Sequence, residues 1–440
     1  MSMFDPPAFR PRAVPQRGLA RNLRMGGVAG GILGATLGSA MGQMLRGRRP
    51  DLAQAALSPG NALRLAGGLA HLRGAAMKLG QMLSMENGMA LPPELTAILG
   101  QLQANAPAMP PRQLRAMLDA EWGLGWQRRF ASFDVRPIAA ASIGQVHRAQ
   151  THDGADLAIK VQFPGVAASI DSDIATLGRL LRMPGLLPPR LDPAPLLDEA
   201  RAQLHEEADY HKEAHALQAF RDRLRDRPQF CLPELVPEFS TARVLAMSYV
   251  HSQPIDALAE APQEIRNARV ADLIDLVLGE VFALGLMQTD PNFANYRIAP
   301  DGRIVLLDFG ATRPIPSAVS AQYRALLHAI LAANRAAIWA CMQDLGYFRP
   351  DQPQARVDLI VDLVMLASAP LRAEAPYDFG SSTLIEDVAR AGQALGSARE
   401  FWHVPPADLL FMHRKIAGIF LLAQRLNAQI PLRPMLERWA

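Results

Sequence analysis

Cysteine and lysine are what this chain is short of. Two cysteines, Cys231 and Cys341, lie far apart in 440 residues without metal-ligand spacing. That excludes a disulfide framework and a cysteine-built zinc site, and leaves two core thiols. The ten histidines form no metal-ligand cluster either. Of forty-five Lys plus Arg, only four are lysine: Lys78, Lys160, Lys212 and Lys415. Arginine is thus the default cation. A lysine that survives such a bias marks a place where a compact ammonium fits and a wide guanidinium does not. No internal repeat is present. Half of the residues are hydrophobic, enough to bury a core in two lobes plus an extension.

Acidic residues are scarce at the N-terminus. Residues 1–50 hold eight arginines and one acid, Asp5, or +7, so the remaining 37 bases and 41 acids sum to −4. Between Arg24 and Arg46 run twenty-one uncharged residues, which as a helix reach about 31 Å, near the bilayer core thickness of about 30 Å. Glycines at 26, 30, 34, 38 and 42 repeat every fourth residue, the spacing of close-packed membrane helices. Seven of the twenty-one are glycine, however, and Arg10 to Arg24 would lie outside a span, against the positive-inside tendency. The expectation is a basic, reversible membrane-associating segment, with a flexible linker as the alternative. A secretory signal is not indicated, since the run is long and has no evident cleavage site.

Residues 288–310 carry the chemistry. Asp290 precedes Asn295 by five residues, and Asp308 follows Asn295 by thirteen, within Gln288-Thr289-Asp290-Pro291-Asn292 and Asp308-Phe309-Gly310. This is the spacing of the catalytic loop and metal-binding Asp-Phe-Gly of kinase-like phosphotransferases. One carboxylate must face an acceptor hydroxyl, while an amide and a second carboxylate hold Mg²⁺ against the ATP phosphates. A strand-turn-strand unit delivers all three to one cleft, with Ile304 to Leu307 as second strand and Asp301-Gly302 as turn. An isolated Asp-Phe-Gly ends many buried strands; the triplet with both spacings is specific.

Lys160 ends the apolar strand Leu157 to Val161, the setting of a phosphate-binding lysine, although an edge-strand lysine can also snorkel. Its carboxylate partner is expected on the helical stretch 194–225, which contains Glu206-Glu207-Ala208-Asp209-Tyr210 and then Glu213. Glu213 is the candidate; Glu207 and Asp209, two apart, cannot share its helix face. Before the lysine strand lies Ala139-Ala140-Ala141-Ser142-Ile143-Gly144-Gln145-Val146, with one glycine where kinases carry several. Each added Cβ narrows the allowed dihedrals and holds backbone N–H groups further from a phosphate.

In order along the chain, these motifs resemble the AarF/UbiB-type atypical kinases, the protein-kinase-like family tied to coenzyme Q (ubiquinone) biosynthesis. Lys78-Leu79-Gly80-Gln81 matches its K-x-G-Q, Glu207-Ala208-Asp209 its E-x-D, and the likeness runs from roughly residue 60 to the C-terminus. The ending, without long apolar C-terminal spans, is similar to the shorter mitochondrial-type and bacterial members. The resemblance implies an α+β, atypical protein-kinase-like two-lobe fold with a helical N-terminal extension and a mostly helical large lobe. It implies ATP and Mg²⁺ as ligands: Lys160 on the phosphates and paired with Glu213, Asn295 and Asp308 on the metal, Asp290 as catalytic carboxylate. Residues 139–146 would cover the nucleotide, and Met247 and Tyr249, in the strand and hinge Leu245 to Val250, would meet the adenine. Lys78 and Gln81 would fold over the cleft toward Glu207 and Asp209. In relatives this extension is thought to obstruct a protein substrate.

After Gly310 the chain passes through Ala311 to Pro316 directly into a helix, with no long activation segment, which favours a small molecule, a lipid or plain ATP turnover over a peptide. The expected organisation is 1–50, a basic segment; 51–125, a helical extension; 126–252, a small lobe; and 253–440, a helical large lobe. Strands are expected near 132–137, 144–150, 156–162, 231–238 and 243–249, and helices at 166–183, 195–225, 264–287, 317–346, 352–369 and 405–427. Gly418 to Leu422 belongs to a buried or groove-facing helix. The implied partners are ATP, an anionic phospholipid surface, and quinone-biosynthesis proteins or a lipid-like small molecule, with no nucleic acid; a homodimer through the glycine face stays open. The implied location is cytoplasmic and peripheral to a membrane, or the mitochondrial matrix side in a eukaryote. Two alternatives remain: a non-catalytic nucleotide-binding scaffold, and a small-molecule phosphotransferase of the aminoglycoside or choline kinase type.

Overall fold

The alternation of buried and half-buried residues in Gly144–Thr151 and the apolar run in Asp156–Gln162 make two long strands, β3 and β4. The computed structural model describes residues 61, 69, 72–85, 108–182, 186, 193–290, 292–348, 352–396 and 407–440. Residues 1–50, with the glycine-rich run, and most of the expected extension between 51 and 107 lie outside the described residues. Among the described residues no helix is long and apolar enough to cross a membrane. The chain is α+β and divides into two compact units, 1–218 with 233–249, and 219–232 with 250–440.

The first unit is built on an antiparallel sheet in the order β1-β3-β4-β6, with β1 at Phe130–Phe133 and β6 at Val244–Ser248, and with β2, Ala139–Ala140, paired to β3. Helices α1 (Arg73–Met85), α2 (Pro111–Trp122), α3 (Val166–Leu181), α4 (Ala194–Glu207) and α5 (Tyr210–Arg223) complete the described part, with α5 running to the division at 218. Leu79, Leu118, Ile159, Val161, Leu177 and Val244 lie at its core.

The single stretch expected at 195–225 is two helices. The chain leaves the helix after Glu207, and Asp209 starts the next one: its Oδ1 accepts the His211 N–H at 3.1 Å and its carbonyl the Lys212 N–H at 3.0 Å. Aspartate competes with the backbone in this way and so favours a helix start over a helix interior. The strand expected at 231–238 is likewise shorter. β5 is Phe230–Cys231, after which Pro233 and Pro237 cannot donate to a ladder, and Leu235 makes one isolated bridge to Met247.

Gly144 has a packing role. A Cβ there would stand 2.4 Å from the Val161 carbonyl oxygen and 2.8 Å from the Tyr210 hydroxyl, so β3 passes under Tyr210 only as glycine. Gly144→Ala should therefore lower the denaturant midpoint by the equivalent of about 1–3 kcal/mol, the usual cost of overpacking. An unchanged midpoint in urea would show that β3 shifts freely there.

In the second unit β5, β10 (Ile304–Leu306), β9 (Tyr296–Ile298) and β7 (Gln253–Pro254) form one sheet in that order, and β8 (Leu286–Gln288) pairs with β11 (Thr312–Pro314). The β9–β10 turn is the expected one: Gly302 has φ 84° and Asp301 Oδ1 accepts the Arg303 N–H at 3.1 Å. Helices α6 (Gln263–Gly279), α7 (Ser317–Leu331), α8 (Arg335–Asp344), α9 (Gln354–Ala367), α10 (Leu384–Gly396), α11 (Ala407–Arg425) and α12 (Leu432–Glu437) surround these strands, along with shorter pieces. The helix expected to reach 287 ends earlier: a π-turn at Glu280–Leu284 closes on left-handed Gly285, and β8 follows. The helix expected over 317–346 breaks at Ala333, which has φ 51°, and restarts with Asn334 accepting the Ala337 N–H at 3.1 Å.

Candidate functional site

Lys160 lies on β4 between Val146 of β3 and Leu245 of β6, and is 8% exposed. Its Nζ donates to both carboxylate oxygens of Glu213, at 2.7 and 2.8 Å, and stands 5.2 Å from the centre of the Tyr210 ring. Glu213 is in the first turn of α5 and is buried. A carboxylate there also complements the positive end of the helix. The pair expected from sequence is thus in place, and the break at Asp209 determines which face of α5 Glu213 occupies.

The break also gives Glu207 a different neighbourhood from Glu213. Lys78 of α1, 1% exposed, donates to Glu207 Oε1 at 2.6 Å, and Ser142 donates to Glu207 Oε2. The helix therefore meets the alanine-rich segment through one carboxylate. That segment is a hairpin: Ala139 pairs with Val146, Ala140 with Gln145, and Ala141 N–H donates to the Gly144 carbonyl at 2.9 Å. Ile143 at its tip is buried, and a Cβ on Gly74 of α1 would sit 3.2 Å from it. Gln81 follows Lys78 by one helical turn, and Asp209 serves as the start of α5. Inside the hairpin Gln145 accepts the Met109 N–H at 2.7 Å and meets His147 Nε2 at 2.8 Å. Burial holds the His147 pKa down at about 4 against the pull of Asp134, so the ring is a neutral structural partner. Met247 is buried and pairs with Ala158, whereas Tyr249 stacks under the Arg148 guanidinium at 4.7 Å and donates its N–H to Asp156.

The second constellation is assembled wholly within the second unit. Asn292 caps a short helical turn, Phe293–Asn295, by accepting the Ala294 N–H at 3.1 Å. Asn295 is buried, and its Nδ2 donates to the Asp290 carbonyl at 3.3 Å. The Leu307 N–H donates to the Asn295 carbonyl at 3.2 Å, so the amide and the following Asp308 are neighbours. Asp290 and Asp308 are both half-buried; each accepts the N–H two residues on, Asn292 at 3.2 Å and Gly310 at 3.0 Å. Thr289 clamps the loop to β11 through the Ala311 carbonyl.

The donor set fits a hard divalent cation. Asn295 spends its amide N–H inward, leaving Oδ1, and Asp308 adds a carboxylate; Mg²⁺ takes one or two such oxygens together with substrate phosphates. Among the described residues no three His, Cys, Asp or Glu side chains converge in a metal-binding cluster.

Sequence reasoning missed the support behind this loop. Lys415 of α11, 1% exposed, donates to the Gln288 carbonyl at 2.8 Å and to Gln288 Oε1 at 2.7 Å. Its Nζ is 3.5 Å from Glu280 Oε2, and Glu280 Oε1 accepts the Gln288 N–H at 3.2 Å. Gln288 Nε2 in turn donates to the Asp308 carbonyl at 3.1 Å. Burial raises the Glu280 carboxyl to about 7 against the opposing charge of Lys415. Burial also works against the Lys415 charge, but Glu280 and Tyr296 outweigh it and its pKa ends raised. The scarcity of lysine marked Lys415 but gave no partner for it: three of the four lysines form buried ion pairs with glutamate, and Lys212 is exposed.

A family model described as the ABC1 atypical kinase-like domain matches residues 101–342. The chain is 37% identical over 433 residues to the rat protein named atypical kinase COQ8B, mitochondrial, covering 97% of this chain and 81% of that one. It is 36% identical over 423 residues to the Saccharomyces cerevisiae atypical kinase COQ8, mitochondrial, covering 95% and 84% respectively. Among solved structures, a Mycobacterium tuberculosis protein in complex with erythromycin matches with a TM-score of 0.58 and 27% identity, over 88% of this chain and 97% of that one.

Proposed function

The chain belongs to the ABC1 family of atypical kinase-like domains, the AarF/UbiB group, and from that premise we propose that it binds Mg-ATP and turns it over in support of ubiquinone (coenzyme Q) or related isoprenoid-lipid metabolism. Turnover is hydrolysis, or phosphoryl transfer to a small or lipid-like acceptor, at an anionic membrane surface on the cytoplasmic or mitochondrial-matrix side. The observation that carries this reading is the hydrogen-bonded grouping of Asp290, Asn295 and Asp308. In the first unit Lys160, oriented by Glu213, binds phosphate oxygens, residues 139–146 cover them, and Met247 and Tyr249 border the base. In the second, Asn295 and Asp308 hold Mg²⁺ and Asp290 accepts the proton of the attacking hydroxyl or water. When bound, Mg²⁺ neutralises charge that builds on the phosphate oxygens. The names of the relatives supply the link to coenzyme Q and to mitochondria. The basic residues 1–50 supply the membrane contact, and the described helices leave its peripheral nature open to test.

One observation favours a second reading, a nucleotide-binding scaffold that does not turn ATP over. Glu207 ties α1 to the hairpin through Lys78 and Ser142, and this fixes a segment that ordinary kinases leave mobile over the phosphates. Phosphate release from Mg-ATP, measured with and without anionic vesicles, separates the two. The wild-type chain should release phosphate, more so with vesicles, and Asp290→Asn should lower the rate by about 10²–10⁴-fold. Equal, negligible release by both proteins would overturn hydrolysis in favour of the scaffold or of a kinase whose acceptor the assay lacks, and nucleotide binding is then measured alone.

A further inference from the structure

Protein interiors hold few voids larger than a water molecule, and an apolar void of about 150 Å³ already admits a benzene-sized guest. The second unit contains a cavity of about 420 Å³ between α6, α7, α9 and α11. Val277, Val281, Leu326, Leu327, Ile419 and Phe420 form much of its wall, and among the described residues no Lys, Arg, Asp or Glu lines it. On the solvent side Ile416, 48% exposed, keeps the rim apolar. This volume lies in the range of pockets that enclose a whole small molecule.

One part of the wall is polar. Tyr347 Oη lies 2.5 Å from His413 Nε2, and Tyr323 Oη is 3.2 Å from both. Burial alone lowers the His413 pKa to about 4; burial also raises both phenols, with Tyr347 pushing Tyr323 up further, so all three are uncharged at neutral pH. Three polar atoms sharing two or three protons leave at least one phenol oxygen with an unused lone pair or an unused proton. A ligand hydroxyl or carbonyl fits that place, whereas a carboxylate or phosphate would be buried with no cation to pair with it.

We propose that this cavity is a binding site for one neutral, largely apolar molecule that carries a single hydroxyl or carbonyl oxygen, held at that oxygen by Tyr323, Tyr347 and His413. The site is separate from the residues assigned to ATP and does not rest on that assignment.

Calorimetric titration of the full chain tests it, with decan-1-ol and sodium decanoate as probes at pH 8. The expected result is one saturable decan-1-ol per chain, with decanoate at least about tenfold weaker. Leu327→Trp fills the cavity and should abolish uptake. Tyr323→Phe with Tyr347→Phe keeps the volume and should weaken decan-1-ol by roughly five- to tenfold, the value of one hydrogen bond. A cooperative thermal melt for each variant shows that it is folded. Uptake that does not saturate, decanoate binding as well as the alcohol, or wild-type uptake by folded Leu327→Trp would each overturn the assignment.

Discussion

Replacing Asp308 with asparagine should weaken Mg²⁺-dependent ATP binding by about a hundredfold or more, about 2.7 kcal/mol. The side chain keeps its shape and can still accept the Gly310 N–H. What it loses is the charge that a hard cation requires, and Asn295 beside it supplies only a neutral oxygen. Calorimetry with and without Mg²⁺ isolates the effect: affinity for metal-free ATP should stay within a few-fold while the Mg²⁺-dependent gain vanishes. Unchanged Mg-ATP affinity would remove Asp308 and Asn295 from the metal assignment together, since the two are placed by one backbone hydrogen bond.

Lys415→Met should be the most destabilising single change in the second unit, costing about 3–5 kcal/mol, the usual price of breaking a buried ion pair. It leaves the Glu280 carboxyl buried without its cation and strips both oxygens of Gln288 of a donor. The sign of the pH dependence follows. The folded-state pKa of Glu280, about 7 with Lys415 in place, lies above the unfolded value, and removing Lys415 takes away a charge that lowers it, so in the variant the penalty is small below about 4.5 and grows as pH rises toward a folded-state pKa higher than the wild type's. Urea midpoints at pH 6 and pH 8 should therefore differ more in Lys415→Met than in the wild type. Adding Glu280→Gln should restore much of the loss by removing the stranded charge. Equal instability in the single and double variants would mean that the lysine acts through packing alone. If Gln288 does position Asp308, the double variant should regain stability and still turn over slowly.

Much of the candidate site's geometry was legible because its spacing is set by short connections. Asp290, Asn295 and Asp308 sit on one strand-turn-strand unit, so their separation in sequence nearly fixes their separation in space. The Lys160–Glu213 pair was readable for a weaker reason, the order of strand and helix, and the structure brings the two within 2.7 Å. Where sequence reading failed, a local rule lost to a neighbour. The helical pattern through 194–225 is continuous, yet Asp209 turns its own carboxylate and carbonyl on the next backbone groups and splits it. Proline removed the donors that a strand at 231–238 needed. Gly144 reads as a flexible residue in a loop, but the reason for it is a carbonyl on the adjacent strand. Lys415 lies more than a hundred residues from Gln288, and a contact of that sequence separation leaves no periodic trace.

The three buried lysine–glutamate pairs have a consequence for chemical handling of this protein. An acylating reagent meets, in the folded chain, one exposed lysine amine, Lys212, besides the N-terminal amine. A fluorophore or surface tether placed through that chemistry is therefore close to site-specific without any engineering. Each further label taken up reports that Lys78, Lys160 or Lys415 has been uncovered, which makes the extent of acylation a gauge of opening in either unit.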